Sequence, residues 1–424
     1  MEKKPPRLPL VDQKLADACV RCGLCKTVCP TYAVKLDEAY SPRGRIFLVK
    51  ALAEGKVDLS PETVKRWDEC TLCRNCELIC PNGVDYKDLL VKVRKTANDR
   101  RRDWVKLLLL KPLTLQGSKV FRWLLKAGAL LTKLVLGKRN TVPVVFPTGA
   151  VKHFPKPKTD AGSLRGKVFL PEGRPKGTLV FFPGCMFENF YTETAKNAVR
   201  LLQKFGYRVI VPDGVGCCGG PHLYSGFLED FSRLREKNER VFRLLKEKEG
   251  AEALVVICPT GGGTFKEDYG LPFPVYELVE ILLKEEPALR AGEGEPVTFH
   301  YPCHSYTAMG LSPGLFDEAV EKLSGRKPLK GELNRSCCGF AGVFSVKNPE
   351  LSQQILRRKM EDFEKTGAGL VLTSCPGCVL QLTEGAIRYA PRLRVEHLVD
   401  YAARKLLTER EKEVLDQLVE ELRI

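Results

Sequence analysis

Cys19-Val20-Arg21-Cys22-Gly23-Leu24-Cys25-Lys26-Thr27-Val28-Cys29-Pro30 and Cys70-Thr71-Leu72-Cys73-Arg74-Asn75-Cys76-Glu77-Leu78-Ile79-Cys80-Pro81 share one spacing, C-x2-C-x2-C-x3-C-P. The second run lies 51 residues after the first at every cysteine, so the unit is an internal repeat. Three cysteines spaced by two residues wrap a tight loop around one cubane [4Fe–4S] cluster and leave one iron open. The fourth cysteine faces away from that loop. The proline after it fixes φ and lacks an N–H, which turns the chain away.

This is the run of bacterial two-cluster ferredoxins, in which the fourth cysteine ligates the other cluster. The spacing assigns Cys19, Cys22, Cys25 and Cys80 to one [4Fe–4S] cluster, and Cys70, Cys73, Cys76 and Cys29 to a second. Structural zinc usually takes two separated C-x2-C pairs rather than four cysteines in eleven residues followed by proline. Disulfides suit small secreted domains, and this chain has 424 residues and no evident secretory signal. Electron transfer is the chemistry this half implies.

The remaining nine of the seventeen cysteines are also patterned. Cys185 is followed by Cys217-Cys218-Gly219 and then Cys258-Pro259; Cys303 is followed by Cys337-Cys338-Gly339 and then Cys375-Pro376-Gly377-Cys378. Matching positions are offset by 118, 120 and 117 residues, which reads as a duplicated domain of about 120 residues. Short runs rich in Val, Ile and Phe (178–183, 208–211, 253–257, 297–301 and 369–373) alternate with helical patterns at 193–205, 231–248 and 349–366. Alternation of that kind predicts an α/β fold with a largely parallel sheet. Cysteines just beyond strand ends then converge on the carboxyl edge, where such folds place ligands. Adjacent cysteines followed by glycine suit a larger multi-iron cluster better than one small ion. Buried structural cysteine is the alternative. The second repeat carries five cysteines: Cys303, Cys337, Cys338, Cys375 and Cys378. The first carries four, Cys185, Cys217, Cys218 and Cys258, because Gly261 stands where Cys378 would be. Its cluster differs in type or occupancy, or is lost.

These residues resemble the iron–sulfur subunit of glycolate oxidase over nearly the whole chain. Cys29-Pro30-Thr31-Tyr32, Ser41-Pro42-Arg43-Gly44-Arg45-Ile46 and Cys73-Arg74-Asn75-Cys76-Glu77 look especially like that subunit. The Cys-Cys-Gly (CCG) domains alone also look like those of heterodisulfide reductase, the lactate-utilisation iron–sulfur protein and the anaerobic glycerol-3-phosphate dehydrogenase C subunit. The resemblance implies a partner, an FAD-containing dehydrogenase subunit that oxidises a 2-hydroxy acid such as glycolate or lactate. It implies a noncubane [4Fe–4S] cluster in the five-cysteine domain. It leaves open whether the chain is itself an enzyme: as in heterodisulfide reductase, a disulfide or a quinone could be reduced at that cluster.

Composition limits the rest. An apolar content of 44% supports real cores. Free thiols in this number imply a reducing compartment, the cytoplasm. No run of about 18 apolar residues exists to span a membrane. The net charge of +16 is concentrated between residues 94 and 139, where 13 Lys/Arg face Asp99 and Asp103. No nucleic-acid motif accompanies the charge, so nucleic acid is not the expected partner. Within that region 119–136 reads as an amphipathic helix. Lys119, Arg122, Lys126 and Lys133 lie on one face, and Phe121, Leu124, Leu125, Leu131 and Val135 on another. It suits packing on its own domain or a partner subunit, or association with the inner face of the membrane.

Gly214-Val215-Gly216-Cys217-Cys218-Gly219 spells G-x-G-x-x-G, but cysteines fill two of its positions and no acidic partner follows; Gly261-Gly262-Gly263 lacks the Lys-Ser/Thr of a P-loop. No flavin or nicotinamide site is expected on this chain. His304 and His222 are positioned to hydrogen-bond cluster sulfur or to serve as ordinary buried histidines. Arg43 and Arg45 either offset cluster charge or lie at the surface. The expected organisation is a mainly helical two-cluster ferredoxin domain (1–100), a basic helical linker (101–164), two α/β CCG domains (165–290 and 291–405) and an acidic C-terminal helix (406–424).

Overall fold

The computed structural model describes residues 13–136, 141–285 and 294–422. The N-terminal module is helical. Ser41 and Ser60 cap the helices Pro42–Ala53 and Pro61–Asp68 by accepting the amides of Gly44 and Thr63, and each helix opens on proline. Proline loses nothing there, because the first-turn N–H is unpaired in any case. These helices and Tyr86–Arg100 bury Ile46, Val49, Trp67, Leu89 and Leu90 in a core that also takes in Leu223, Tyr224 and Phe231 of the following domain. Arg94 fastens that contact, donating to the carbonyls of Tyr224 at 2.7 Å, Trp67 at 2.7 Å and Cys70 at 2.8 Å.

Residues 101–164, expected to be helical, hold two helices, Trp104–Thr114 and Lys119–Leu136, and then a hairpin. Strand β1 (Thr141–Val145) pairs antiparallel with β2 (Val151–Pro155). Strand β1 is rich in Val, and the two strands flank the turn Phe146-Pro147-Thr148-Gly149-Ala150, where Gly149 takes φ +78°. The helical expectation therefore fails over this stretch, where β-branched residues and a turn outweigh the charge pattern. The hairpin docks on the second half of the molecule through Lys152 Nζ to Gln381 Oε1 (2.9 Å) and the His153 amide to Glu384 (3.0 Å).

The C-terminal part is α/β, as the alternating pattern predicts. Strands β3 (Lys167–Phe169), β4 (Gly177–Phe182), β5 (Tyr207–Val211), β6 (Ala253–Val256) and β7 (Val275–Glu277) form the first sheet. In it β5, β4, β6 and β7 run parallel, and β3 pairs antiparallel with β5 on the outer side. Strands β8 (Val297–Phe299), β9 (Leu370–Thr373) and β10 (Arg394–His397) form a parallel second sheet, and a bridge from Thr298 to Leu329 extends it. The order 329-β8-β9-β10 repeats β5-β4-β6-β7, so the duplication seen in the cysteines is one of topology. Side chains of both halves share one continuous core. The chain end differs from the acidic helix expected at 406–424. A helix covers only Glu409–Gln417, and β11 (Val419–Glu421) then returns to pair antiparallel with β3.

Among the described residues no helix is long and apolar enough to cross a membrane. The side chains of Lys119, Arg122 and residues 131–136, on which part of the amphipathic reading rests, lie outside the described ones. Of the remainder of that helix, Val120, Trp123, Leu124 and Leu130 are exposed.

Candidate metal centres

The two ferredoxin-type loops fold alike. Arg21 and Leu72, at matching positions, take φ +59° and +50°, and Gly23 and Arg74 take +88° and +64°. Two left-handed residues per loop curl the chain tightly enough to turn successive cysteines inward. Arg74 holds this unfavourable geometry as a non-glycine through ion pairs to Glu77 and Glu267.

Cys19, Cys22, Cys25 and Cys80 line one small cavity, which Cys76 also reaches. Cys22 is exposed and brings this site to the surface. Cys70, Cys73, Cys76 and Cys29 form a second, more buried group. Burial and then the neighbouring thiols Cys73, Cys70 and Cys29 push the Cys76 thiol well up. The Cys70 sulfur accepts the Leu72 amide at 3.3 Å, and Cys29 lies 3.2 Å from Thr31 Oγ1. Arg45 sits beside this group and is 1% exposed. Its guanidinium donates to the carbonyls of Tyr40 (2.8 Å), Arg66 (2.7 Å) and Glu69 (2.8 Å). Although burial opposes its charge, Cys70, Tyr86 and Cys29 raise its pKa. Arg43, in contrast, pairs with Glu38 at the surface.

The nine remaining cysteines stand at the carboxyl ends of the parallel strands. Cys185 and Cys303 begin short helices after β4 and β8; Cys258 and Cys375 are N-caps of the helices Pro259–Asp268 and Pro376–Tyr389 after β6 and β9. Each Cys-Cys pair turns on a left-handed glycine, Gly219 at φ +77° and Gly339 at φ +82°. A Cβ on Gly219 would lie 2.6 Å from the Phe231 ring, so the turn is confined as well as left-handed.

The thiols are continuous. Cys185 and Cys218 both act on the Cys217 thiol and push it well up. In the second half the series runs Cys303, Cys337, Cys338, Cys378, Cys375 and on to Cys258 of the first half. The Cys338 and Cys378 sulfurs are 3.5 Å apart. Hydrogen bonds from Cys303 and Cys338 hold Cys337 well below the usual thiol range, and bonds from Cys258 and Cys378 do the same for Cys375. A cavity of about 220 Å³ opens on every cysteine of the second half, on Cys185 and Cys258, and on Cys70. At its wall Asp68 accepts Lys106 Nζ at 2.8 Å and Lys347 Nζ at 2.5 Å, joining three modules at one carboxylate. Against its burial, Lys106, Lys347 and Arg94 hold that carboxyl down to about 2.

The ferredoxin module meets the second half at this point. Burial, then the Cys337 thiol, push Cys73 well up, and Cys303 in turn feels Cys73. The donors are mainly soft sulfur, and all seventeen cysteines are free. That chemistry fits iron–sulfur clusters.

Some neighbours of these sites carry no signal in the sequence. Lys359 is buried, donates to the Ser336 carbonyl at 2.6 Å, and faces the second-half thiols; burial pushes it down to about 8 against the pull of Cys338, Cys337 and Cys378. His300 Nε2 lies 3.2 Å from Cys378 Sγ. The two histidines that the sequence does single out have other partners: His304 bonds Leu72 O and Thr260 Oγ1, and His222 bonds Leu110 O. The G-x-G-x-x-G string forms the cysteine turn between β5 and the helix Gly220–Tyr224.

Residues 15–84 match the 4Fe-4S dicluster domain family, and residues 179–266 and 297–383 each match the cysteine-rich domain family. The chain thus carries one region that matches the 4Fe-4S dicluster domain, followed by two that match the cysteine-rich domain. It is 28% identical over 443 residues to the probable glycolate oxidase iron-sulfur subunit of Bacillus subtilis, covering 90% of this chain and 92% of that one. It is 28% identical over 416 residues to the glycolate oxidase iron-sulfur subunit of Escherichia coli, covering 92% and 94%. One subunit of the dihydromethanophenazine:CoB--CoM heterodisulfide reductase of Methanosarcina mazei is 24% identical over 443 residues, covering 96% and 99%. This cysteine-rich iron–sulfur protein is thus related to glycolate oxidase iron-sulfur subunits, in keeping with the likeness of its motifs.

Proposed function

We propose that this protein is the electron-transfer subunit of a flavin-dependent 2-hydroxy acid dehydrogenase, exchanging electrons between the FAD of a partner subunit and an acceptor. Glycolate and lactate are the substrates this reading favours. Cys19, Cys22, Cys25 and Cys80 hold one [4Fe–4S] cluster, Cys29, Cys70, Cys73 and Cys76 the second, and Cys303, Cys337, Cys338, Cys375 and Cys378 a noncubane one. Bound clusters supply one-electron oxidation and reduction. The electrostatic linkage of the thiols carries the reading: Cys22 is exposed, Cys73 is buried and feels the Cys337 thiol, and Cys303 in turn feels Cys73. Domain limits follow the same logic, with the dicluster module to about residue 100 and the cysteine-rich halves meeting near residue 290.

The partner surface is the apolar face of the helices after the module. Trp104 and Trp123 are 71% and 68% exposed, with Leu108 and Leu115 also open to solvent. Uncovered aromatic area of this kind marks an interaction site. The chain's compartment in this reading is the cytoplasm, and contact with the inner face of the membrane is the competing use of that face.

Anaerobic purification from the native host tests this. A flavoprotein should co-purify, glycolate or lactate should bleach the visible absorbance of the complex but not of the isolated chain, and Trp104→Ser with Trp123→Ser should detach the partner. A second reading, reduction of a disulfide or a quinone on this chain, has its own support in the cavity. Phe340, Val343 and Phe344 give it an apolar wall beside the second-half cysteines. Absence of a flavoprotein, together with disulfide or quinone reduction by the isolated chain, would replace the first reading with the second.

A further inference from the structure

His300 follows β8 and is completely buried, with its amide bonded to Leu372 O at 2.8 Å as an extension of the sheet. Its two ring nitrogens have different surroundings. Nδ1 faces the Asn334 carbonyl at 3.3 Å. A carbonyl only accepts, so Nδ1 carries the hydrogen and donates it. Nε2 faces sulfur, 3.2 Å from Cys378 Sγ. The donor atoms of His300, Cys338 and Cys378 all lie within 4.8 Å of one another. Asn334 is itself clamped: its amide nitrogen donates to Thr298 Oγ1 at 3.0 Å and to Phe299 O at 2.7 Å, and its amide oxygen accepts Gly331 N–H at 2.6 Å. A ring held through one N–H on a fixed carbonyl, with the other nitrogen aimed at thiolates, has the arrangement of a metal-binding histidine. Of the five histidines, His300 is the one with a ring nitrogen hydrogen-bonded to a thiol.

The first half supplies an internal comparison. By the offset that relates Cys185 to Cys303, His300 corresponds to Phe182; by the offset that relates Cys258 to Cys375, Cys378 corresponds to Gly261. These two replacements are neighbours. A Cβ on Gly261 would stand 3.7 Å from Cys218 Sγ and 3.9 Å from Phe182 Cε1. Phe182 packs edge-on against Phe265, with centroids 4.9 Å apart. One corner of the site thus holds an imidazole and a thiol in the second half, and an aromatic ring and no donor in the first. The two donors are lost together, as expected of groups that serve one centre. A histidine with a purely scaffolding role would have no reason to follow the cysteine.

We propose that His300 is a nitrogen ligand, through Nε2, of the iron–sulfur centre in the second cysteine-rich domain, beside Cys338 and Cys378. Phe182 and Gly261 remove this corner from the first domain. The inference rests on the reading that the second domain binds iron. Histidine in place of thiolate raises the potential of an iron–sulfur centre, so His300 also sets the second-half centre above an all-thiolate equivalent.

Pulsed EPR on the whole, anaerobically purified protein labelled with 15N-histidine tests the assignment. A directly bound histidine nitrogen should be seen on a reduced or oxidised centre other than the two cubanes. His300→Ala should abolish that coupling while both cubane signals persist, and His304→Gln should leave it in place. His300→Cys should lower the midpoint potential of the same centre. Phe182→His combined with Gly261→Cys should create a second nitrogen-coupled centre. A second-half centre without a bound histidine nitrogen, or one whose coupling survives His300→Ala, would overturn the ligand assignment alone. No centre beyond the two cubanes would overturn both the ligand and the iron reading. Should His300→Ala fail to accumulate, the labelled unsubstituted protein still decides, because absence of the coupling there is a negative result.

Discussion

Arg45 carries a full charge into the core of the dicluster module, with no carboxylate within 4 Å among the described residues. Its neighbours Cys70 and Cys29 are two thiols of the second ferredoxin-type group. A buried cation at that place favours the more negative, reduced state. Arg45→Met should therefore lower the midpoint of one cubane by about 2 kcal/mol, roughly 90 mV for one electron at an effective dielectric near 20. A redox titration followed by EPR reads this directly. Sequence alone leaves Arg45 level with Arg43, because burial separates them and burial is a tertiary fact. His300 is hidden in the sequence for a related reason. His304 adjoins Cys303 along the chain, yet its ring turns to Leu72 and Thr260, while His300 reaches sulfur across the sheet.

Among the elements, the turn from β7 into the helix Leu278–Lys284 places a carboxyl group where water cannot reach. Glu277 caps that helix by accepting the Val279 amide at 2.6 Å, and burial pushes its pKa up to about 8. The folded chain therefore binds a proton more tightly there than the unfolded chain does. The associated stability is complete below the unfolded pKa near 4.5 and is lost as pH rises toward about 8. Glu277→Gln keeps an acceptor for Val279 and removes the titration. At pH 7 it should stabilise the protein by up to about 3 kcal/mol and flatten the dependence of Tm on pH between 5 and 8. Thermal unfolding of the two proteins across that range checks it. Parallel strands and their cysteines are legible in the sequence because apolar runs such as Ala253–Val256 end almost directly at a cysteine. The hairpin of β1 and β2 is not, because the basic residues around it suggest a helical linker. Nor is β11, since its three exposed residues, Val419–Glu421, carry no alternation and find order only against β3.

For the whole molecule, the fold brings three cysteine-bearing modules to one cavity. Asp68, Lys106 and Lys347 lock the dicluster module, the following helix and the second cysteine-rich half around it. The duplication is readable from offsets in the sequence. The influence of Cys337 on Cys73, and that of Cys375 on Cys258 across the two halves, are not, because they depend on how the modules dock. The central claim is that the second cysteine-rich half is a third iron–sulfur site joined to the dicluster path. Iron and acid-labile sulfide analysis with EPR redox titration, on unsubstituted protein and Cys337→Ser, tests it most directly. The unsubstituted protein should hold about twelve irons, counting four for each of three clusters. Cys337→Ser should lose about four of them, with both cubane signals intact. Unchanged iron content and an unchanged spectrum in Cys337→Ser would contradict it.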